Sequence, residues 1–197
     1  MRHPIDLEAL ADLFAYRIAL ISDLIHIGLT SSLIARRCDP GGGWQHLMPG
    51  IVLLGKAPPT RRQRIHAALR YAGRGAIVTG VDALQLHGMR ASPATGPVHI
   101  LAPLRSTAGC AAVHVERTSR LPAPVMRDGA ITAPLARAAV DTVRHMRSMA
   151  DIRAVLSEVS SFVDPLTLHA ELDAAPKRGT TVPRQVLSGL HQPAMSQ

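Results

Sequence analysis

Aromatic side chains are scarce in this sequence, with one Trp, two Tyr and two Phe among 197 residues. Reading single-stranded RNA by stacking bases on rings is therefore disfavoured. Cysteine is equally thin. Cys38 and Cys110 lie far apart with no second thiol near either, so neither a disulfide framework nor a thiolate zinc site is expected, and both read as reduced packing residues. No run approaches the roughly 20 apolar residues needed to cross a bilayer. The start, Met1 to Glu8, carries Asp6 and Glu8 where a signal peptide needs a basic patch and an apolar stretch, so the expected location is the cytoplasm. Carboxylates do not cluster: residues 59–130 hold only Asp82, Glu116 and Asp128, widely spaced and with no Lys among them. Hydrolytic or nuclease chemistry lacks its usual equipment, and Ser106 and Ser119 lack a nucleophile-elbow context. The expectation is a protein that is not an enzyme and carries no cofactor.

What is present is a globular composition, 47% hydrophobic and 18% charged, long enough for one domain or two small ones. The net charge is +8, which favours a polyanionic partner. Only Lys56 and Lys177 are lysines; the arginine excess in an Ala-, Gly- and Pro-rich chain carries the mark of GC-rich coding bias. Position matters more than the total. Residues 1–58 hold five basic and five acidic side chains, residues 59–130 ten and three, and residues 131–197 seven and six.

Leu7, Leu10, Ala11 and Phe14 recur at helical spacing and predict an amphipathic helix over Ile5–Phe14. A second helix is predicted from about Leu20 to Ile27, ending at Gly28. Thr30 or Ser31 can cap a third through Arg37, with Leu33 and Ile34 inward and Ser31, Ser32, Ala35 and Arg36 outward. Asp39-Pro40-Gly41-Gly42-Gly43 breaks the pattern. Trp44-Gln45-His46-Leu47 and Ile51-Val52-Leu53-Leu54-Gly55, on either side of Met48-Pro49-Gly50, read as a β-hairpin. Helix, helix, turn, helix and hairpin is the order of a winged helix-turn-helix.

Ala57-Pro58-Pro59 marks a boundary, and Thr60 caps a helix over Arg61–Ala72 with Arg61, Arg62, Arg64 and Arg70 expected in solvent. Gly73-Arg74-Gly75 follows a helix and precedes a strand, so it stops a helix and cradles no phosphate. A strand (76–79), a helix (81–87), strands at 98–102 and 112–117, and helices at 134–146, 149–162 and 165–174 follow. Residues 176–197 read as a loose tail. The expected fold is α+β: a winged helix-turn-helix (1–57), a small mixed α/β region (58–175) and the tail.

The run Ile27-Gly28-Leu29-Thr30, Ile34-Ala35-Arg36-Arg37, Trp44-Gln45-His46-Leu47 and Pro49-Gly50-Ile51-Val52 resembles the N-terminal domain of AbiEi-type antitoxins and transcriptional regulators of actinobacteria. The likeness continues through Arg61-Arg62-Gln63, Tyr71-Ala72-Gly73, Leu86-His87-Gly88, Val98-His99-Ile100-Leu101, Glu116-Arg117-Thr118 and Ala133-Pro134-Leu135-Ala136-Arg137, and covers about residues 15–190. The resemblance implies a winged-helix DNA-binding domain joined to an antitoxin-like region, acting as autorepressor and antitoxin. Double-stranded operator DNA, a nucleotidyltransferase-like toxin and self-association are the implied partners. Many such relatives run on into a Vsr-like endonuclease domain after a segment like 178–187. Against them this chain reads as a stand-alone regulator or as the DNA-targeting half of a shortened fusion.

Arg17, Thr30, Ser31, Ser32, Arg36, Arg37, Gln45 and His46 form the expected DNA-contacting set, since Arg grips guanine O6 and N7 and hydroxyls reach phosphates. Trp44 is assigned to packing. Arg61, Arg62, Arg64 and Arg70 form a basic face that flanks the DNA or meets an acidic partner. Among ten histidines no pair has helical i, i+4 spacing and none adjoins Cys, so no metal is expected, although His99 and His114 fall on neighbouring candidate strands.

Overall fold

The computed structural model describes residues 6–90 and 95–190. Residues 1–5, 91–94 and 191–197, which include most of the stretch weighed above as a signal peptide and the end of the expected tail, lie outside the described residues. Asp6 accepts the backbone N–H groups of Glu8 (2.9 Å) and Ala9 (3.3 Å) and so starts helix α1, Leu7–Asp12. A single 3₁₀ turn at Ala15–Arg17 leads into a three-residue strand β1, Ile18–Leu20, too short to show alternation in the sequence. Helix α2 (Ile21–His26) closes at Gly28, whose φ of 103° suits glycine. Helix α3 (Ser31–Cys38) begins where Thr30 Oγ1 accepts the Leu33 N–H at 3.3 Å. Strands β2 (Gln45–Met48) and β3 (Ile51–Leu53) follow, joined through Pro49-Gly50 with Gly50 at φ 76°.

These strands form an antiparallel sheet in the order β1-β3-β2. Ile18 pairs with Leu53 and Ala19 with Val52. Alternation then sends Ala19 and Val52 toward Leu24, Leu29, Ile34 and Trp44, while Ile18, Ile51 and Leu53 join a larger core with Ile65 and Ala68. Burial on both faces explains the unbroken apolar run Ile51–Leu54.

Helix α4, Arg61–Ala72, lies on the second face of that sheet. Thr60 and Gln63 form a reciprocal capping box at its start, and Gly73 at φ 82° ends it. A five-stranded sheet follows in the order β6-β5-β4-β8-β7, from β4 (Ile77–Val78), β5 (Val98–Ala102), β6 (Val113–Arg117), β7 (Val125–Arg127) and β8 (Ala130–Thr132). Strands β5 and β6 run parallel in register, and β7 and β8 make an antiparallel hairpin. The hairpin turn is Asp128-Gly129, with φ of 48° and 77°, the left-handed pair that a tight hairpin requires. Helix α5 (Gly80–Leu86) links β4 to β5 in chain order.

Helices α6 (Leu135–Val143), α7 (Met149–Ser160), α8 (Pro165–Ala174) and α9 (Thr181–Leu190) complete the chain's described part. Every residue of α6 from Ala136 to Val143 is buried, so α6 is the central helix of this half. The fold is mixed α+β, as expected. The expected loose tail needs correction: residues 181–190 are helical, with Val186 and Leu187 buried against the rest. Pro183 falls in the first turn, where its missing N–H costs no helical bond, so it does not prevent the helix. No helix among the described residues is long and apolar enough to cross a membrane.

Candidate functional site

The outer face of α3 carries the first group of candidate residues. Ser31, Ser32, Ala35 and Arg36 are exposed and lie within one side of the helix by its 3.6-residue period, while Ile34 is 2% exposed on the opposite side. Thr30 spends its hydroxyl on the cap and on a 3.1 Å contact with Ser32 Oγ. Arg36 makes no hydrogen bond or ion pair among the described residues. Arg37 is used within the fold: its Nη1 donates to the Gly42 carbonyl at 3.3 Å and its guanidinium lies 5.9 Å from the centroid of Trp44. Trp44 is buried, in keeping with its packing assignment.

Around this helix the remaining candidates divide. Gln45 donates from Nε2 to the carbonyls of Gly55 and Ala57, both at 2.8 Å, and so straps the end of the hairpin. The free amide expected for DNA contact is thus already engaged, because those carbonyls have left the strand ladder. His46 is exposed on β2. Arg17 pairs with Asp12 at 2.8 Å, both well exposed.

The α4 arginines were expected to stay in solvent; Arg62, Arg64 and Arg70 do and Arg61 does not, but three of the four are paired. Arg61 grips Asp82 through two bonds of 2.6 Å and reaches the Gly96 carbonyl at 2.7 Å, a bidentate pair around a carboxylate only 3% exposed. A buried carboxylate needs such a partner, which is why Arg61 turns inward. Arg62 meets Asp128 at 2.7 Å and lies over the Tyr16 ring, 5.0 Å from its centroid. Arg70 donates to the Ile18 carbonyl and lies 3.5 Å from Asp23. Arg62, Arg64 and Arg70 are all exposed, and Arg64 makes no such bond among the described residues.

Of a second group, only His99 and His114, on neighbouring strands, were expected near each other. Parallel pairing of β5 with β6 places His99 opposite His114, with ring centroids 4.7 Å apart. Glu116, two residues along β6, shares that face, and His145 enters from the segment after α6, its ring 5.4 Å from that of His99 and 5.8 Å from that of His114. Glu116 Oε2 is 3.2 Å from His99 Nε2 and 3.9 Å from His145 Nε2. Its other oxygen, Oε1, accepts from Arg144 Nη1 at 3.3 Å. The ring N–H groups of His145 and then His99, aided by Arg144, hold the Glu116 carboxyl well below the usual carboxylate range against the opposing effect of burial. Burial, and then the neighbouring His99 and His145, push the His114 imidazole below its ordinary value. The group borders a cleft of about 380 Å³ that Arg61, Gly80 and Asp141 also line.

Behind the cleft the polar chain continues inward. Asp141, fully buried, accepts from Thr79 Oγ1 at 2.7 Å and Arg137 Nε at 2.8 Å, and lies 3.4 Å from Arg144. Arg137 in turn lies 3.6 Å from Glu171, which forms a two-bond pair with Arg120. Sequence spacing could have signalled the cluster at one point: His114-Val115-Glu116 puts two ligand types on one face of a strand. His145 offered no such signal.

Two sheets, a three-helix N-terminal unit and a central buried helix define an α+β protein whose exposed chemistry divides between a helix face and a histidine-lined cleft. In fold the chain is similar to the crystal structure of the RV2827C protein from Mycobacterium tuberculosis, with a TM-score of 0.65 over 95% of this chain and 76% of that one, at 16% identity. No protein-family model matches the chain, and no curated protein matches it.

Proposed function

We propose that the chain is a cytoplasmic DNA-binding transcriptional regulator of the autorepressor type, resembling the antitoxin of a type IV toxin–antitoxin pair and acting by binding rather than catalysis. In this reading residues 7–54 are a winged helix-turn-helix, α3 enters the major groove and β2–β3 is the wing. One observation carries it: α3 is fixed from beneath by Ile34 and Trp44 while Ser31, Ser32, Ala35 and Arg36 face outward together. The helix order and the sheet order β1-β3-β2 support it. The two-residue wing turn limits the hairpin's reach, so His46 and Arg36 carry more of the contact than Gln45 or Arg37, whose side chains hold the fold.

Gel shifts with the duplex upstream of the gene, at two salt concentrations, test the reading. Binding that falls with salt and weakens in Arg36→Ala by about 1–3 kcal/mol supports a base contact at Arg36. Absence of any shift at low salt contradicts the reading.

A second reading, neutralisation of a nucleotidyltransferase-like toxin by protein contact, draws on Phe162 and Leu166, which stand 68% and 76% exposed at the α7–α8 turn. Growth rescue that survives Arg36→Ala but is lost in Phe162→Ser with Leu166→Ser would support it; rescue lost in Arg36→Ala and kept in the Phe162/Leu166 variant would contradict it.

A further inference from the structure

We propose that His99, His114, Glu116 and His145 form a binding site for one divalent transition-metal ion of the zinc class. Among the described residues this is the one group of three or more His, Cys, Asp or Glu side chains close enough to share an ion, and its four ligand atoms all lie within 4.8 Å of one another. A tetrahedral ion with bonds of roughly 2.0–2.2 Å to nitrogen and oxygen needs ligand atoms about 3.3–3.5 Å apart. The His99–Glu116 distance of 3.2 Å already meets that, and the 3.9 Å from His145 to Glu116 is within reach of a small side-chain rotation.

The donor set is three imidazoles and one carboxylate, which suits zinc and its first-row neighbours and suits calcium or magnesium poorly. Outer contacts fix the carboxylate. Arg144 holds Oε1 of Glu116, leaving Oε2 turned to the rings, and Asp141 lies 3.4 Å from Arg144 in turn. The adjoining cleft gives the ion an entry path. An anion is the poorer occupant, because Glu116 sits at the centre of the group and Arg144, the nearest guanidinium, is already shared between two carboxylates. Bound there, the ion ties the segment after α6 to β5 and β6. The site owes nothing to the DNA-binding reading and stands or falls separately from it.

The test uses the full-length chain without a histidine tag, stripped with a chelator and titrated with Zn²⁺ by calorimetry and with Co²⁺ by visible absorption. The expected result is one ion per chain, Co²⁺ bands of a four-coordinate nitrogen–oxygen site, and a melting temperature raised by about 5–11 °C at a hundredfold excess over Kd. His145→Ala, whose native side chain is 53% exposed, is expected to melt like the metal-free parent and to lose at least tenfold in affinity. His114→Ala is expected to do the same, with His26→Ala, an exposed histidine outside the group, unaffected. No binding, or affinity unchanged in the His114→Ala/His145→Ala double variant, would overturn the proposal.

Discussion

Asp141→Asn is a direct probe of the polar chain that runs through the C-terminal half. The carboxylate is fully buried, bonded to Thr79 and Arg137 and close to Arg144, and Arg137 is itself only 3% exposed. An amide keeps the shape and one acceptor oxygen but removes the charge, leaving a buried guanidinium without its main counterion. Removing one partner of a buried pair costs about 3–5 kcal/mol. Glu171, at 3.6 Å from Arg137, offers a partial substitute and favours the lower end. For a chain of this length each kcal/mol moves the melting point by about 2–4 °C, so a fall of about 6–20 °C is expected. Thermal melts followed by near- and far-ultraviolet circular dichroism would measure it and show whether the transition stays single. Asp12→Asn, which breaks an exposed pair with Arg17, should change stability by less than about 1 kcal/mol. The paired replacement Arg137→Met with Asp141→Leu, which removes both charges, should cost less than Asp141→Asn alone. A melting point for Asp141→Asn within 2 °C of the parent would mean that the buried Arg137 does not depend on the Asp141 charge.

Other perturbations read the rest of the fold. Trp44→Ala should destabilise by about 3–5 kcal/mol in urea unfolding, since the indole is buried beside Leu24 and Ile34. Thr60→Ala removes half of the α4 capping box and should cost about 0.5–2 kcal/mol by the same assay. The imidazoles of His66 and His87 are both pushed below their ordinary value, chiefly by burial, with Arg62 adding at His66 and Arg127 at His87. The unfolded chain therefore takes up protons before the folded one. The stability these rings contribute is complete above about pH 6.5 and is lost as pH falls from there through their lower folded values. Unfolding curves from pH 7.5 to 5.5 should show that decline, and the His66→Gln/His87→Gln variant should flatten it.

The sequence made the N-terminal helices legible because their apolar residues recur with helical period and two caps are explicit: Thr30 and Thr60 each bond the first turn as their residue type predicts, whereas Asp6, expected inside the first helix, caps it. The two-sided burial of β3 was visible as an apolar run, but β1 was not, since Ile18–Leu20 is held by pairing with distant residues and not by any local pattern. The β7–β8 hairpin had its signal in Asp128-Gly129, and the flanking strands of three residues each were too short to bring it out. On the basic helix the exposure of Arg62, Arg64 and Arg70 was legible, and the inward turn of Arg61 and the acidic partners were not. Counting charges on α4 says nothing of the carboxylates that meet them, and Asp82 and Asp128 arrive from 21 and 66 positions away in sequence. Of the histidine cluster, the approach of His99 and His114 on neighbouring strands was legible, whereas His145 comes from a helix end that no spacing rule connects to them.

Duplex affinity as a function of salt shows whether the exposed side of α3 meets DNA. Fluorescence anisotropy on the labelled upstream duplex, against a scrambled duplex of equal length, should give saturable binding that prefers the native sequence. It should also show a linear fall of log affinity with log salt that is shallower by about one unit in Arg64→Ala if Arg64 holds a phosphate, and a loss of sequence preference in Arg36→Ala. Equal affinity for both duplexes, unchanged by Arg36→Ala, would contradict it.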